Sequence, residues 1–170
     1  TLTLIGNGAQ SEFQALAFKA VLGITHIRLY DIDKSASKKA FANLSACGLN
    51  VAICNSVQEA VKGADIITTC TADKTNATIL TNDMIPQGVH INAIGGDCPG
   101  KTELDARLLE RANVFVEYEP QTRIEGEIQQ MSPSFTVTEF HKVIYKQSLG
   151  RTSQDELTIF DGVGFASEDF

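Results

Sequence analysis

Gly6 and Gly8 flank a single asparagine, just after the apolar run of residues 2–5 and just before Phe13, Leu16, Ala17, Ala20 and Val21 at helical spacing. Strand, glycine turn and helix in that order make an anion site. Gly6 permits the tight turn, Gly8 leaves no side chain between backbone and ligand, and the helix start offers free amides near Ala9 and Gln10. A dinucleotide pyrophosphate suits that arrangement. The third small position of the G-x-G-x-x-G pattern holds Ser11, so the pattern alone is a modest signal, and an isolated G-x-G shapes a plain turn about as often.

Asp31, at the end of the next strand pattern, shifts that balance. A carboxylate there can accept hydrogen bonds from both hydroxyls of an adenosine ribose and would repel a 2′-phosphate. The two following positions hold Ile32 and Asp33 rather than a basic residue, so NAD is expected over NADP, with Lys34 the nearby cation that favours the phosphorylated form. A turn-forming Asp after a strand is the bland alternative.

A second group of residues follows the fifth strand pattern: Ile94, Gly95, Gly96, Asp97, Cys98, Pro99, Gly100 and Lys101. In an open α/β sheet, ligands lie beyond the carboxyl ends of the strands, where Cys70, Thr71, Ala72 and Asp73 also fall. Two glycines would let backbone pass close to a flat ring, and Pro99-Gly100 forces a turn. Asp97 is then an acid/base candidate whose carboxylate would be desolvated beside a ligand. An Asx turn, or a cap on the helix at Leu104, is the equally weighted alternative, and for Lys101 a solvated cation or a pair with Glu103.

Other chemistry finds little support. No His lies near Cys98, which argues against a cysteine nucleophile, and His26, His90 and His141 show no metal-binding spacing. No metal is expected. Glu117, Glu119, Glu125 and Glu127 read as a solvated acidic face.

The elements that must position these residues alternate along the chain. Strands are expected at residues 2–5, 26–30, 51–54, 65–70, 90–94, 114–117 and 157–160, and helices at 35–46 (capped by Ser35), 56–62, 104–111, 123–131 and 138–147. Residues 81–85 read as a turn region, 147–156 as a polar loop, and 162–170 as the start of another helix. This alternation predicts an α/β, doubly wound, mostly parallel sheet of the Rossmann type, with residues 1–170 as one domain.

Composition fits that class. The 170 residues are 43% hydrophobic with thirteen glycines and no tryptophan, and the net charge of −7 argues against a nucleic-acid or anionic-membrane surface. Four cysteines without a C-x-x-C pair suit a reducing cytoplasm, and no apolar run reaches the length of a membrane span. A strand pattern at the first residue, with no initiator Met, reads as a chain cut from something longer.

Three segments together carry a resemblance: Gly6-Asn7-Gly8-Ala9-Gln10-Ser11-Glu12-Phe13-Gln14, then residues 95–105 (Gly-Gly-Asp-Cys-Pro-Gly-Lys-Thr-Glu-Leu-Asp), then Asp161-Gly162-Val163-Gly164-Phe165-Ala166. On these the chain resembles the central cofactor domain of the ornithine cyclodeaminase and mu-crystallin family. The resemblance implies a reaction in which hydride passes from the α-carbon of L-ornithine to NAD, the side-chain amine closes on the resulting imine carbon, ammonia leaves, and the hydride returns to give L-proline.

It further implies that Asp97 is the proton-transfer carboxylate, that Ala9 and Gln10 meet the pyrophosphate and Asp31 the ribose, and that Thr71 lies beside the cofactor. Ile94, Gly95, Gly96 and Lys101 would surround the nicotinamide half, and Gly162 and Val163 would form a late loop over cofactor and substrate. Family members usually carry Ser where Gly162 stands. The family's amino-terminal segment, which supplies substrate-carboxylate contacts and most of a homodimer surface, is absent from these residues, so the piece alone is expected to bind cofactor but scarcely turn over. Two other readings stay open: an NAD(P)-dependent amino-acid dehydrogenase or ketimine reductase, and a non-catalytic nucleotide-binding module, against which Asp97 speaks.

Overall fold

The computed structural model describes residues 1–72 and 77–164. Asp73, Phe165 and Ala166 of the motifs above, and most of the helix expected at 162–170, lie outside the described residues. The chain divides into two compact units, Thr1–Asp73 and Lys74–Phe170.

The first unit runs β1 (Leu2–Ile5), α1 (Ala9–Leu22), β2 (His26–Tyr30), α2 (Lys34–Ala46), β3 (Asn50–Ile53), α3 (Val57–Val61) and β4 (Ile66–Thr69). All its strand pairs are parallel, in the order β3-β2-β1-β4. The chain steps outward from β1 to β3 and then returns to the other side of β1, which creates a switch point at the carboxyl ends of β1 and β4. Both of these strands are buried at every residue, which explains their unbroken runs of Leu, Ile and Thr, whereas β2 alternates. Leu2, Leu4, Ile27, Leu29 and Leu44 form the centre of the core.

Helix α1 has the expected period but turns the opposite face inward. Ser11 and Ala15 are buried, while Phe13 is 71% and Val21 80% exposed. Small residues let the helix approach the sheet closely next to the glycine turn, and the larger apolar ones are left outside. The cap of α2 is also not Ser35: Asp33 occupies that position, and its carboxylate accepts the Ser35 amide. Ser56 does cap α3, accepting the Glu59 amide.

The second unit contains β5 (His90–Ala93), α4 (Ala106–Arg111), β6 (Asn113–Val116), α5 (Glu119–Glu125), β7 (Thr138–Glu139), α6 (Phe140–Ile144) and β8 (Thr158–Asp161), with 3₁₀ turns at Asn82–Met84 and Glu127–Gln130. Its strands are parallel in the order β5-β8-β6-β7, so the last strand inserts between β5 and β6. Two helices expected from the sequence are divided here. The run 123–131 breaks at Gly126, where the backbone is extended, into the end of α5 and a 3₁₀ turn, and an added Cβ at Gly126 would lie 2.6 Å from an Asp161 oxygen. The run 138–147 begins as an edge strand, since Thr138 and Glu139 pair with Phe115 and Val116 before α6 starts.

Candidate cofactor and proton-transfer sites

In the first unit the glycine turn leaves β1 with Gly6 at φ +88°, and a Cβ there would lie 2.7 Å from the Cys70 carbonyl oxygen. The fold itself therefore requires this glycine. Gly8 is different: a Cβ on it would meet no protein atom within 4 Å, and it precedes α1 with no side-chain cap on the helix amides. Open space over uncapped amides at Ala9 and Gln10 is what an anion needs. Ser11 donates to the Gly8 carbonyl, so the serine in the third small position braces the turn.

Asp31 is already engaged. Its Oδ2 accepts the Asn7 amide at 2.5 Å and its Oδ1 accepts the Asp33 amide at 2.8 Å. A carboxylate has about four acceptor sites, so capacity remains for two ribose hydroxyls. Asn7, singled out by no pattern, is 4% exposed; its side chain accepts from Ser37 and donates to the Leu4 carbonyl. The only sequence hint was its place between two glycines. Thr71 is half-buried beside Cys70, whose thiol donates to the Gly6 carbonyl. The set fits a dinucleotide with an unmodified ribose.

In the second unit the candidate residues follow β5. Asp97 is 58% exposed, and it does not cap the helix that follows Leu104. Lys101 is 3% exposed rather than solvated, and its Nζ lies 3.5 Å from Asp97 Oδ1. Gly100, at φ +81°, and the bond from Lys101 N to the Cys98 carbonyl give the expected Pro-Gly turn. Helix α4 is capped by Asp105.

Gly95 and Gly96 have a reason other than a flat ring: a Cβ on Gly95 would collide with the Glu103 carboxylate, and one on Gly96 would lie 2.6 Å from Glu127 Oε1. Glu127 is fully buried, which overturns the solvated acidic face. Its oxygens accept the Glu103 and Leu104 amides at 2.7 and 3.0 Å. Asp161, equally buried, accepts the Glu127 and Ile128 amides at 2.9 Å each. Desolvation pushes the Glu127 carboxyl up to about 8 and that of Asp161 up to about 7, against the lowering effect of those amides.

Glu117 Oε2 accepts the amides of Val163 and Gly164, while Glu119 pairs with Arg123. An added Cβ on Gly162 would come 2.9 Å from the Phe160 ring and 3.4 Å from Ile94, so this chain has no room for a serine there without movement. Burial of Asp161 and Glu127 against backbone amides left no trace in charge pattern or period. The one available signal was an Asp closing a strand, as Asp31 does. Among the described residues no cluster of His, Cys, Asp and Glu could hold a metal ion, and no helix is long and apolar enough to cross a membrane.

Known proteins resemble this chain throughout. It is 60% identical over 170 residues, all of its length and 48% of the relative's, to an ornithine cyclodeaminase of Brucella suis. An archaeal alanine dehydrogenase dimer with bound NAD matches 99% of this chain and 54% of its own at a TM-score of 0.91 and 31% identity. A lysine cyclodeaminase, solved for its recognition of L-lysine, L-ornithine and L-2,4-diaminobutyric acid, matches at 0.90 and 33% identity over 99% of this chain and 49% of its own. The chain thus has the same α/β fold as these enzymes' domains and spans about half the length of its curated relatives. The profile of the Ornithine cyclodeaminase/mu-crystallin family matches residues 1–170, and the chain belongs to that family.

Proposed function

We propose that these residues form the NAD-binding part of an enzyme that converts L-ornithine to L-proline and ammonia. The observation that carries this reading is the 60% identity, across every residue of the chain, to relatives named ornithine cyclodeaminase. In it, Gly6, Gly8 and the amides of Ala9 and Gln10 take the pyrophosphate, Asp31 the ribose hydroxyls, and Thr71 a place beside them. Ile94, Gly95, Gly96, Lys101 and Gly162 belong to the nicotinamide half, and Val163 to the substrate. NAD supplies a reversible acceptor for hydride. Asp97 takes and returns the proton, and Lys101, buried and 3.5 Å away, fixes the carboxylate's direction.

The same reading makes the full-length protein a cytoplasmic homodimer acting on a small amino acid, with the isolated piece able to bind NAD but scarcely to turn over. A second reading, an NAD-dependent amino-acid dehydrogenase, draws on the fold match to alanine dehydrogenase. Assay of the full-length protein with L-ornithine and NAD separates them. Proline and ammonia in equal amounts with no net NADH supports the cyclodeaminase. NADH formed in step with ammonia favours the dehydrogenase, and no product sinks both.

A further inference from the structure

We infer that Glu127 is a positioning residue, with Gln129 as its second anchor, that fixes the loop of residues 95–104 and thereby the carboxylate of Asp97. The inference rests on the proton-transfer role proposed for Asp97.

Asp97 stands at the exposed part of a long loop after β5, and the Lys101 ammonium beside it belongs to the same loop. A contact within the loop cannot set the loop's position. Glu127 and Gln129 can, because both come from the 3₁₀ turn Glu127–Gln130. Glu127 holds the loop's far end through the amides of Glu103 and Leu104 and lies against Gly96, next to Asp97. Gln129 holds the middle: its Oε1 accepts the Gly100 amide at 2.7 Å, and its Nε2, bonded to the Gly126 carbonyl before its own turn at 2.8 Å, also donates to that of Lys101 at 2.9 Å, with the Cys98 carbonyl at 3.3 Å.

The 3₁₀ turn is itself fixed. Asp161, at the end of β8 between β5 and β6, accepts the first two amides of the turn. Gly126 supplies the space, since a side chain there would strike Asp161 and Thr122. The position of Asp97 is therefore referred to a central strand through two bidentate carboxylates in series. An apolar side chain would fill the site of Glu127 without the cost of burying a carboxyl group, but it could not accept two amides. Misplacing a reacting group by about 1 Å can cost on the order of 100-fold in rate.

The test uses the full-length protein with NAD and L-ornithine. Glu127→Gln keeps the shape but replaces one accepting oxygen by an NH₂, and Gln129→Ala removes the second anchor from a half-buried site that solvent can reach. Ile128→Val, a buried change in the same turn with no bond to the loop from its side chain, serves as the control for lost stability. Each anchor variant should lower kcat for ammonia release about 10-fold or more with KM for L-ornithine changed less than about 3-fold, while the control keeps kcat.

A second readout is independent of turnover. NADH emission should change in both anchor variants while ADP-ribose affinity holds. Wild-type kcat and emission in either folded anchor variant, or an equal loss in Ile128→Val, would overturn the inference. If the unaltered protein releases no ammonia, the functional reading fails, and the emission comparison alone decides the positioning role. If Glu127→Gln does not fold, Gln129→Ala carries the test.

Discussion

The Asp31 carboxylate accepts the Asn7 amide at 2.5 Å, so the residue that closes β2 also closes the glycine turn that follows β1. The ribose-binding candidate and the candidate phosphate-binding turn are one hydrogen-bonded unit. Asn7 extends it to α2 through Ser37 Oγ at 2.9 Å. The turn reading of Asp31 is met by these amide bonds, and lone pairs of the same carboxylate remain for a ribose.

Asp31→Asn keeps an accepting oxygen and loses the charge. Calorimetric titration should show NAD affinity falling about 10- to 100-fold, from weakened bonds to the ribose hydroxyls, and the preference for NAD over NADP narrowing as repulsion of a 2′-phosphate disappears. An unchanged preference would mean that Asp31 is a turn residue alone.

The two glycines should behave differently. Gly6→Ala places a Cβ against the Cys70 carbonyl at positive φ and should cost more than about 2 kcal/mol of stability in urea unfolding. Gly8→Ala meets no protein atom, so it should cost under about 1 kcal/mol yet weaken NAD binding strongly. Equal binding by Gly8→Ala and the parent chain would remove the pyrophosphate from this turn.

Stability should fall as pH rises from 6.5 to 8. Glu127, raised from 4.5 to about 8, and Asp161, raised from 3.8 to about 7, hold protons in the folded chain that the unfolded chain has released. Their contributions are complete below the unfolded values and are lost as pH rises through the folded ones. His90 has the opposite sign: burial, with Arg151 assisting, lowers it from 6.5 to about 4, so its contribution is present above 6.5 and lost as pH falls toward 4. Above pH 6.5 the two carboxyls act without that opposition. The urea midpoint of the parent chain should drop across this window, and in Glu127→Gln the drop should shrink; identical slopes would assign the effect elsewhere.

Lys101→Met should separate activity from stability. The side chain is buried, so methionine retains the packing and removes a buried charge, leaving the melting temperature equal or higher. In the full-length protein kcat should fall about 10-fold or more, because Asp97 loses the ammonium that directs it. Wild-type kcat would show that the pair orients nothing.

How much of this was legible beforehand differs element by element. The strand, glycine turn, helix and acidic strand end of the first unit could be read because they are local: apolar runs give strands, and Gly6 and Asp31 are backbone and charge requirements expressed at single positions. The strands expected at 2–5 and 65–70 form at 2–5 and 66–69, and their lack of alternation fits strands covered on both faces. The Pro-Gly turn before Lys101 was written in its residue types.

What the tertiary structure decided is where long-range partners meet. Period alone showed that α1 is a helix, but not that its small residues face the sheet and Phe13 faces out. No local rule could show that β8 enters between β5 and β6, and from that insertion comes the burial of Asp161. A glutamate in a run of acidic residues reads as solvated. Glu127 is buried because amides 24 and 23 residues away in sequence approach it, and only folding brings them there. Composition and period record what each residue prefers by itself; the chain's closure determines which carboxylates must surrender water for backbone amides.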